Sequence, residues 1–357
     1  MRKLYSFIGG ILGIVLILIC LNVILQKQSG TAKQSDKLVI YNWGDYIDPA
    51  LLKKFTKETG IQVQYETFDS NEAMYTKIKQ GGTTYDIAVP SDYMIDKMVK
   101  EDLLVKLDKS KLTSMKNIGN DFLGKNFDPQ NDYSIPYFWG TVGIVYNDQI
   151  IKNPPKHWID LWRPEYKNQI MLVDGARETM GFGLNTFGYS LNEKNLSKLK
   201  QVENRLQKLT PNIKAIVADE MKGYMIQGDA GIGVTFSGEA SEMLYSNEHL
   251  HYVVPSEGSN LWFDNLVLPK TMKHKKEAYA FLNFINEPKN AAQNAEYIGY
   301  ATPIDKAKAM LPKEIKNDTA FYPTQKTIKK LEVYDNLGDN WLGIYNDLYL
   351  QFKMYRK

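Results

Sequence analysis

From Lys37 onward, the chain alternates two kinds of apolar spacing. Leu38-Val-Ile-Tyr41 is a short continuous apolar run and predicts a strand. Asp48 offers an N-cap, Pro49 fits the first helical turn, and Leu51, Leu52 and Phe55 form one apolar face before Gly60 stops the helix. Ile61, Val63, Tyr65 and Thr67 then alternate with Gln62, Gln64 and Glu66, the period of a half-buried strand. Asp69 with Glu72 predicts a capped helix that carries Met74 and Ile78 and ends at Gly81-Gly82. Tyr85-Asp-Ile-Ala-Val89 predicts another buried strand. A strand–helix–strand–helix–strand succession of this kind predicts an α/β lobe with a mostly parallel sheet.

Later stretches repeat the style without repeating the sequence. Leu196, Leu199, Val202, Leu206 and Leu209 recur at helical spacing, and Pro211 stops them. Residues 220–227 predict a helix, 230–236 a strand, 239–245 a helix and 275–285 another helix, with Ala278, Phe281, Leu282 and Ile285 on its inner face. Residues 126–147, with Pro129 and Pro136, read as an irregular crossover between lobes.

The N-terminus breaks this pattern. Arg2 and Lys3 precede a stretch from Leu4 to Leu25 without one charge, which predicts an export signal or a membrane anchor rather than core. The basic flank sends the rest of the chain to the outer face of the membrane or the periplasm. Cys20 allows a lipid anchor, although Ile19 before it is not small; an uncleaved span of about 20 residues is the alternative. Polar residues up to Asp36 form a spacer, so residues 1–36 read as anchor plus spacer.

Composition narrows the function classes. The 357 residues carry a net charge of +3, and residues 1–36 account for all of it through Arg2, Lys3, Lys27 and Lys33 against Asp36. A neutral body excludes a nucleic-acid binder, which needs basic excess over phosphate. Cys20 is the one cysteine, so the body has no disulfide, thiolate metal site or cysteine nucleophile. The four histidines include His249-x-His251, read as solvated. No nucleophile elbow, dinucleotide fingerprint or phosphate loop is complete, and neither cofactor nor metal is expected.

Twenty-three Tyr, 14 Phe and 6 Trp remain to be explained. Trp139, Trp158, Trp162 and Trp341 read as ordinary packing. Others sit beside acids or hydroxyls just past predicted strands: Trp43-Gly-Asp45-Tyr46, Ser91-Asp-Tyr93, Asp174-Gly-Ala-Arg-Glu178 and Trp262-Phe-Asp264. The carboxyl ends of strands are where open α/β sheets bind ligands. Ring faces attract ammonium groups at about 0.5–2 kcal/mol each, and carboxylates accept their N–H donors, so the pattern suits an apolar cation.

These stretches resemble the polyamine (spermidine/putrescine) solute-binding proteins of bacterial ABC importers. The resemblance runs from about Leu38 to the C-terminus. It is carried by Tyr41-Asn-Trp-Gly-Asp-Tyr46, Phe55-Thr-Lys-Glu-Thr-Gly60, Ser70-Asn-Glu-Ala-Met-Tyr75, Tyr85-Asp-Ile-Ala-Val-Pro-Ser91, Phe127-Asp-Pro-Gln-Asn-Asp-Tyr-Ser-Ile-Pro-Tyr137 and Ile298-Gly-Tyr-Ala-Thr-Pro303. It implies a two-lobed periplasmic-binding fold of type II, with residues 37–140 and 264–308 in one lobe and 141–263 and 309–357 in the other. It further implies closure by hinge motion, an aromatic box of Trp43, Tyr46, Tyr93, Phe236, Trp262 and Tyr300, a polar contact from Ser91, and ammonium-holding carboxylates at Asp264 and Glu178. Members of the family carry Trp where Phe236 stands, a carboxylate where Gly175 stands (Asp174 is one position early), and a glutamine that aligns with Tyr334. The implied activity is non-enzymatic: capture of spermidine or putrescine and delivery to a membrane permease. Aromatic platforms with carboxylates also suit an oligosaccharide, and Asp264 with Glu178 also suits the acid pair of a secreted hydrolase.

Overall fold

The computed structural model describes residues 37–218 and 220–355. The expected anchor and spacer, with Cys20, lie outside the described residues. Among the described residues no helix is long and apolar enough to cross a membrane.

The strands are β1 (Leu38–Trp43), β2 (Val63–Phe68), β3 (Ile87–Ala88), β4 (Ser134–Asn147), β5 (Ile170–Val173), β6 (Ile213–Val217), β7 (Ile232–Phe236), β8 (Leu250–Val253) and β9 (Leu261–Val267). They pair in the order β2-β1-β3-β9-β4-β7-β5-β6, with β8 also on β4. Two parallel groups result, β2-β1-β3 and β7-β5-β6, each bordered by an antiparallel partner. The α/β expectation is met, and the fold is the two-lobed periplasmic-binding type.

β4 joins the two groups. Residues 134–141 pair with β9, residues 142–146 with β7 and residues 144–147 with β8. The reading of 126–147 as irregular is therefore corrected: its second half is the longest strand described. Pro136 is tolerated because the register shifts between Pro136 and Phe138, so its missing N–H interrupts the ladder at a bulge.

Local signals set most helix ends. The Ala50 N–H donates to Asp48 Oδ1 at 2.8 Å, and Gly60 closes the same helix at φ 75°. Ser70, not Asp69, caps the next helix, through Ala73 N–H to Ser70 Oγ at 3.2 Å. β2 runs on through Phe68, so the residue directly before the first helical turn is Ser70. The helices Glu220–Gln227 and Lys275–Ile285 match the predicted limits. Helices cover the sheet: Phe281 meets Phe55 edge-on at 5.2 Å, and both are buried with Leu38, Ile40 and Ile87. Trp139 and Trp158 are core residues, as ordinary packing requires.

His251 lies in β8 and His249 just before it. Their rings flank the exposed Asp148 at 2.9 and 3.1 Å. Among the described residues no group of three or more His, Cys, Asp or Glu is arranged to hold a metal.

Candidate functional site

Asp264 is the centre of the candidate site. The sequence reading puts Trp262 and Asp264 just past a strand; they lie inside β9, a strand with every residue buried. The Tyr46 hydroxyl donates to Asp264 Oδ2 at 2.6 Å and the Ser91 hydroxyl donates to Oδ1 at 2.6 Å. Both donors come from the carboxyl ends of neighbouring strands. Tyr46 is swung inward by a tight turn after β1 in which Asp45 takes φ 45°, and Ser91 follows β3. Burial pushes the Asp264 carboxyl up to about 6, and the Ser91 and Tyr46 hydroxyls work against that rise. No basic side chain of the described residues is among the groups that set its charge.

A second layer holds this pair. Asn71 Nδ2 donates to Ser91 Oγ at 3.0 Å and to Tyr93 Oη at 3.1 Å, and the Ser91 N–H donates to Asn71 Oδ1 at 3.0 Å. The Tyr93 hydroxyl in turn donates to Glu72 Oε1 at 3.2 Å. Asp92, buried between them in sequence, accepts the Phe263 N–H at 3.1 Å and so pins β9. Burial drives the Asp92 carboxyl up to about 8; the Tyr93 and Phe263 N–H groups oppose this, and the Asp264 charge adds to it.

The aromatic wall is built by contact between rings. Tyr300 meets Tyr46 at 5.3 Å and Trp262 at 5.2 Å, both edge-on, and Phe236 meets Trp262 at 6.3 Å. Trp43 ends β1, donates its indole N–H to Val89 O at 2.9 Å and packs on Phe68 at 4.6 Å. The buried indole N–H of Trp262 has no hydrogen-bond partner among the described residues. Two glycines give the rings their room. A Cβ on Gly140 would lie 2.4 Å from Trp262, and a Cβ on Gly238 would lie 1.9 Å from Tyr300. Gly238→Ala is therefore expected to displace the Tyr300 ring. The variant should bind the cognate ligand about tenfold more weakly and melt earlier, since overpacking costs roughly 1–3 kcal/mol; calorimetry and thermal melting check both.

Glu178 sits in the first turn of the helix Ala176–Asn185. Burial raises its carboxyl, its own backbone N–H and Arg177 oppose the rise, and the charge of Glu72 adds to it. The departure at Gly175 has a geometric reason. A Cβ there would lie 2.1 Å from Glu178 Oε2, so the folded-back Glu178 fills the space of the side chain that is missing. Tyr334 is buried, carries the Arg177 guanidinium 4.2 Å over its ring, and shares a small cavity with Glu178. Asp174 is placed elsewhere. It is exposed at the end of β5, where its carboxylate receives Lys353 at 2.8 Å and the Tyr349 hydroxyl at 2.6 Å. Burial alone would raise its pKa; Lys353 and Tyr349 outweigh that and lower it.

The structure thus joins Tyr46, Ser91, Tyr93 and Asp264 in one hydrogen-bond network and Tyr46, Phe236, Trp262 and Tyr300 in one chain of rings. It leaves Asp174 outside both. Sequence reasoning missed Asn71, Glu72 and Asp92. The first two lie in the Ser70–Tyr75 stretch quoted for the resemblance, and Asp92 stands between two chosen residues. A carboxylate without a counter-ion, oriented by two hydroxyls and faced by aromatic rings, can hold a cation with methylene arms.

Residues 50–324 match the model of the bacterial extracellular solute-binding proteins. The chain is 41% identical to the spermidine/putrescine-binding periplasmic protein of Salmonella typhimurium, over 92% of this chain and 95% of the relative. Among solved structures it is similar to a spermidine/putrescine ABC transporter substrate-binding protein of Streptococcus pneumoniae, at 67% identity and TM-score 0.84 over 90% of this chain and 100% of that one. A putative spermidine/putrescine ABC transporter from Listeria monocytogenes gives 58% identity and TM-score 0.85 over the same shares, 90% and 100%. With more than half of its length matched by the family model, and with a buried ligand-type site at the carboxyl ends of its strands, the chain belongs to the bacterial extracellular solute-binding proteins.

Proposed function

We propose that the protein is an extracytoplasmic receptor that binds spermidine and/or putrescine and delivers it to the permease of an ABC importer, with no catalytic step. The observation that carries this reading is Asp264: a buried carboxylate, held by two hydroxyls among aromatic rings, with its pKa raised and no basic partner. A protonated amine supplies the missing charge, and Trp262, Tyr300 and Phe236 supply surfaces for its methylenes. Relatives named for spermidine and putrescine support the same reading.

In this reading residues 37–140 with 264–308 close against residues 141–263 with 309–357. Closure removes water and strengthens the attraction between carboxylate and ammonium. Without ligand, burying these acids is costly, so the empty protein favours the open state. Residues 1–36 tether the receptor to the outer face of the membrane, through an uncleaved span or a lipid on Cys20.

One group favours a different ligand. The unpartnered indole N–H of Trp262 needs an acceptor, which a sugar hydroxyl has and a protonated amine lacks. Titration calorimetry with spermidine, putrescine and a neutral oligosaccharide decides. Polyamine binding at micromolar affinity or tighter, about −8 kcal/mol or better, is expected, with the sugar silent. Sugar binding with silent polyamines overturns the proposal.

A further inference from the structure

A serine that opens a helix ordinarily spends its side chain on the first free N–H groups. Ser70 does so, through the Ala73 N–H at 3.2 Å. Ser91 opens the helix Asp92–Lys100 and makes no such bond. Its hydroxyl donates to Asp264 Oδ1 at 2.6 Å instead. The acceptor that the helix needs comes from the next residue. Asp92 is 1% exposed, and its Oδ1 accepts the Tyr93 N–H at 2.7 Å.

The other oxygen of Asp92 completes a strand. β3 pairs with β9 through Ala88 and Val267, and Ser91 and Asp264 are bridged in the same antiparallel register. The Asn265 N–H donates to Pro90 O at 3.0 Å, so the next ladder bond of β9 belongs to Phe263, opposite Asp92. There the backbone has already turned into the helix. Asp92 Oδ2 stands where the ladder carbonyl is missing and accepts the Phe263 N–H at 3.1 Å. A buried N–H without an acceptor is costly, and one carboxylate here serves two of them. Burial is the largest influence on the Asp92 carboxyl; among charged neighbours, Asp264 raises it and Arg177 lowers it. Tyr93 and Tyr334 are the other titratable groups that feel its charge.

We propose that Asp92 is a positioning residue for ligand capture: it caps the helix in place of Ser91 and holds β9 opposite, which leaves the Ser91 hydroxyl free to orient Asp264 and keep it ionised. The inference rests on the polyamine reading above. Asp92 acts through Ser91 and Asp264 and needs no contact with the ligand.

Spermidine titrations of the purified full chain from pH 8 to pH 5 test it. In Asp92→Ala the Ser91 hydroxyl is drawn back to the free N–H groups of its own helix and leaves Asp264. Affinity at pH 8 is expected to fall about tenfold, the size of one hydrogen bond to a charged group. The midpoint of the pH-dependent loss should also move up from about 6, because the Ser91 hydroxyl is one of the two that lower the Asp264 carboxyl. In a Ser91→Ala background the same change should cost no more than about twofold, since the group it acts through is gone. A role through charge alone moves the midpoint down, because removing a negative neighbour favours the ionised Asp264. A merely loosened fold weakens binding and leaves the midpoint in place. Asp92→Asn keeps an oxygen for the Tyr93 N–H and should hold the wild-type midpoint. It carries the test if melting curves show that the alanine variant does not fold, and a lowered midpoint in it overturns the proposal. In a folded Asp92→Ala, a midpoint that stays or falls, or costs that simply add to those of Ser91→Ala, overturns the positioning role and leaves the polyamine receptor standing. A wild-type protein that binds no polyamine overturns both.

Discussion

Replacing Asp264 with Asn is expected to cost nearly all polyamine affinity and, at the same time, to raise the melting temperature of the ligand-free protein at pH 8. The two effects have one origin. Asp264 is a carboxylate kept in a dry setting, where the charged form is disfavoured by burial more than Ser91 and Tyr46 restore it. Its displacement from 3.8 to about 6 corresponds to roughly 3 kcal/mol spent on keeping it ionised in the folded, ligand-free protein. An Asn removes that cost, keeps an oxygen to accept one hydroxyl, and occupies the same volume. The ammonium of the ligand then faces a neutral amide. Losing one member of a buried charge pair costs about 2–5 kcal/mol, a fall in affinity of about 30- to several-thousand-fold. Titration calorimetry and thermal melting at pH 8 measure the two sides. A variant that binds spermidine as tightly as the wild type would remove Asp264 from the site. A ligand-free melting temperature below that of the wild type would contradict the strain assigned to the carboxylate.

The same residue illustrates what the sequence discloses and what it withholds. Periodicity with a clear stop is sufficient for the helix Lys275–Ile285, whose Ala278, Phe281, Leu282 and Ile285 form one buried face with Pro288 behind it, and Gly228 marks the end of Glu220–Gln227. β4 was hidden because it is buried on both faces. It shows no alternation, and Pro136 argues against a strand until the bulge beside it is seen. Within the site, aromatic residues next to acids were legible as short motifs. Their supports were not, because support is a long-range property. Asn71 looks like part of a helix start, yet it holds two residues about 20 positions downstream. Gly140 and Gly238 carry no chemistry of their own, and their role appears only when Trp262 and Tyr300 are found against them. Asp174 shows the same limit from the other side. Nothing near it in sequence announces Lys353, 179 positions away, which holds its charge.

Polyamine affinity is expected to fall as pH drops from 8 to 5, and the ligand-free protein is expected to gain stability over the same range. Asp264 must be ionised to attract an ammonium, yet in the empty site it is half protonated near pH 6. Below that point each pH unit lowers affinity by up to about tenfold through this group alone, and Glu178, also raised, steepens the slope. The ligand does not contribute, since alkyl ammonium groups with a pKa of about 10 stay charged throughout. For stability the sign is opposite. Asp264 and Asp92 hold their protons more tightly folded than unfolded, so their contribution is complete below about pH 4. It is lost as pH rises through about 6 for Asp264 and about 8 for Asp92. Carboxylates lowered by basic partners, such as Asp132 beside Lys106 and Lys109, lose their contribution only below the ordinary carboxylate range and so leave the window from pH 5 to 8 clear. A bound ammonium stabilises the ionised form of Asp264 and cancels its share of the loss. The rise in melting temperature caused by saturating spermidine should therefore grow between pH 5 and pH 8. In Asp264→Asn the Asp264 share of both slopes should vanish, leaving the Asp92 contribution to stability. A wild-type dissociation constant that stays flat across this range would mean that the charge neutralised by the ligand is carried by a group other than the buried acids around Asp264.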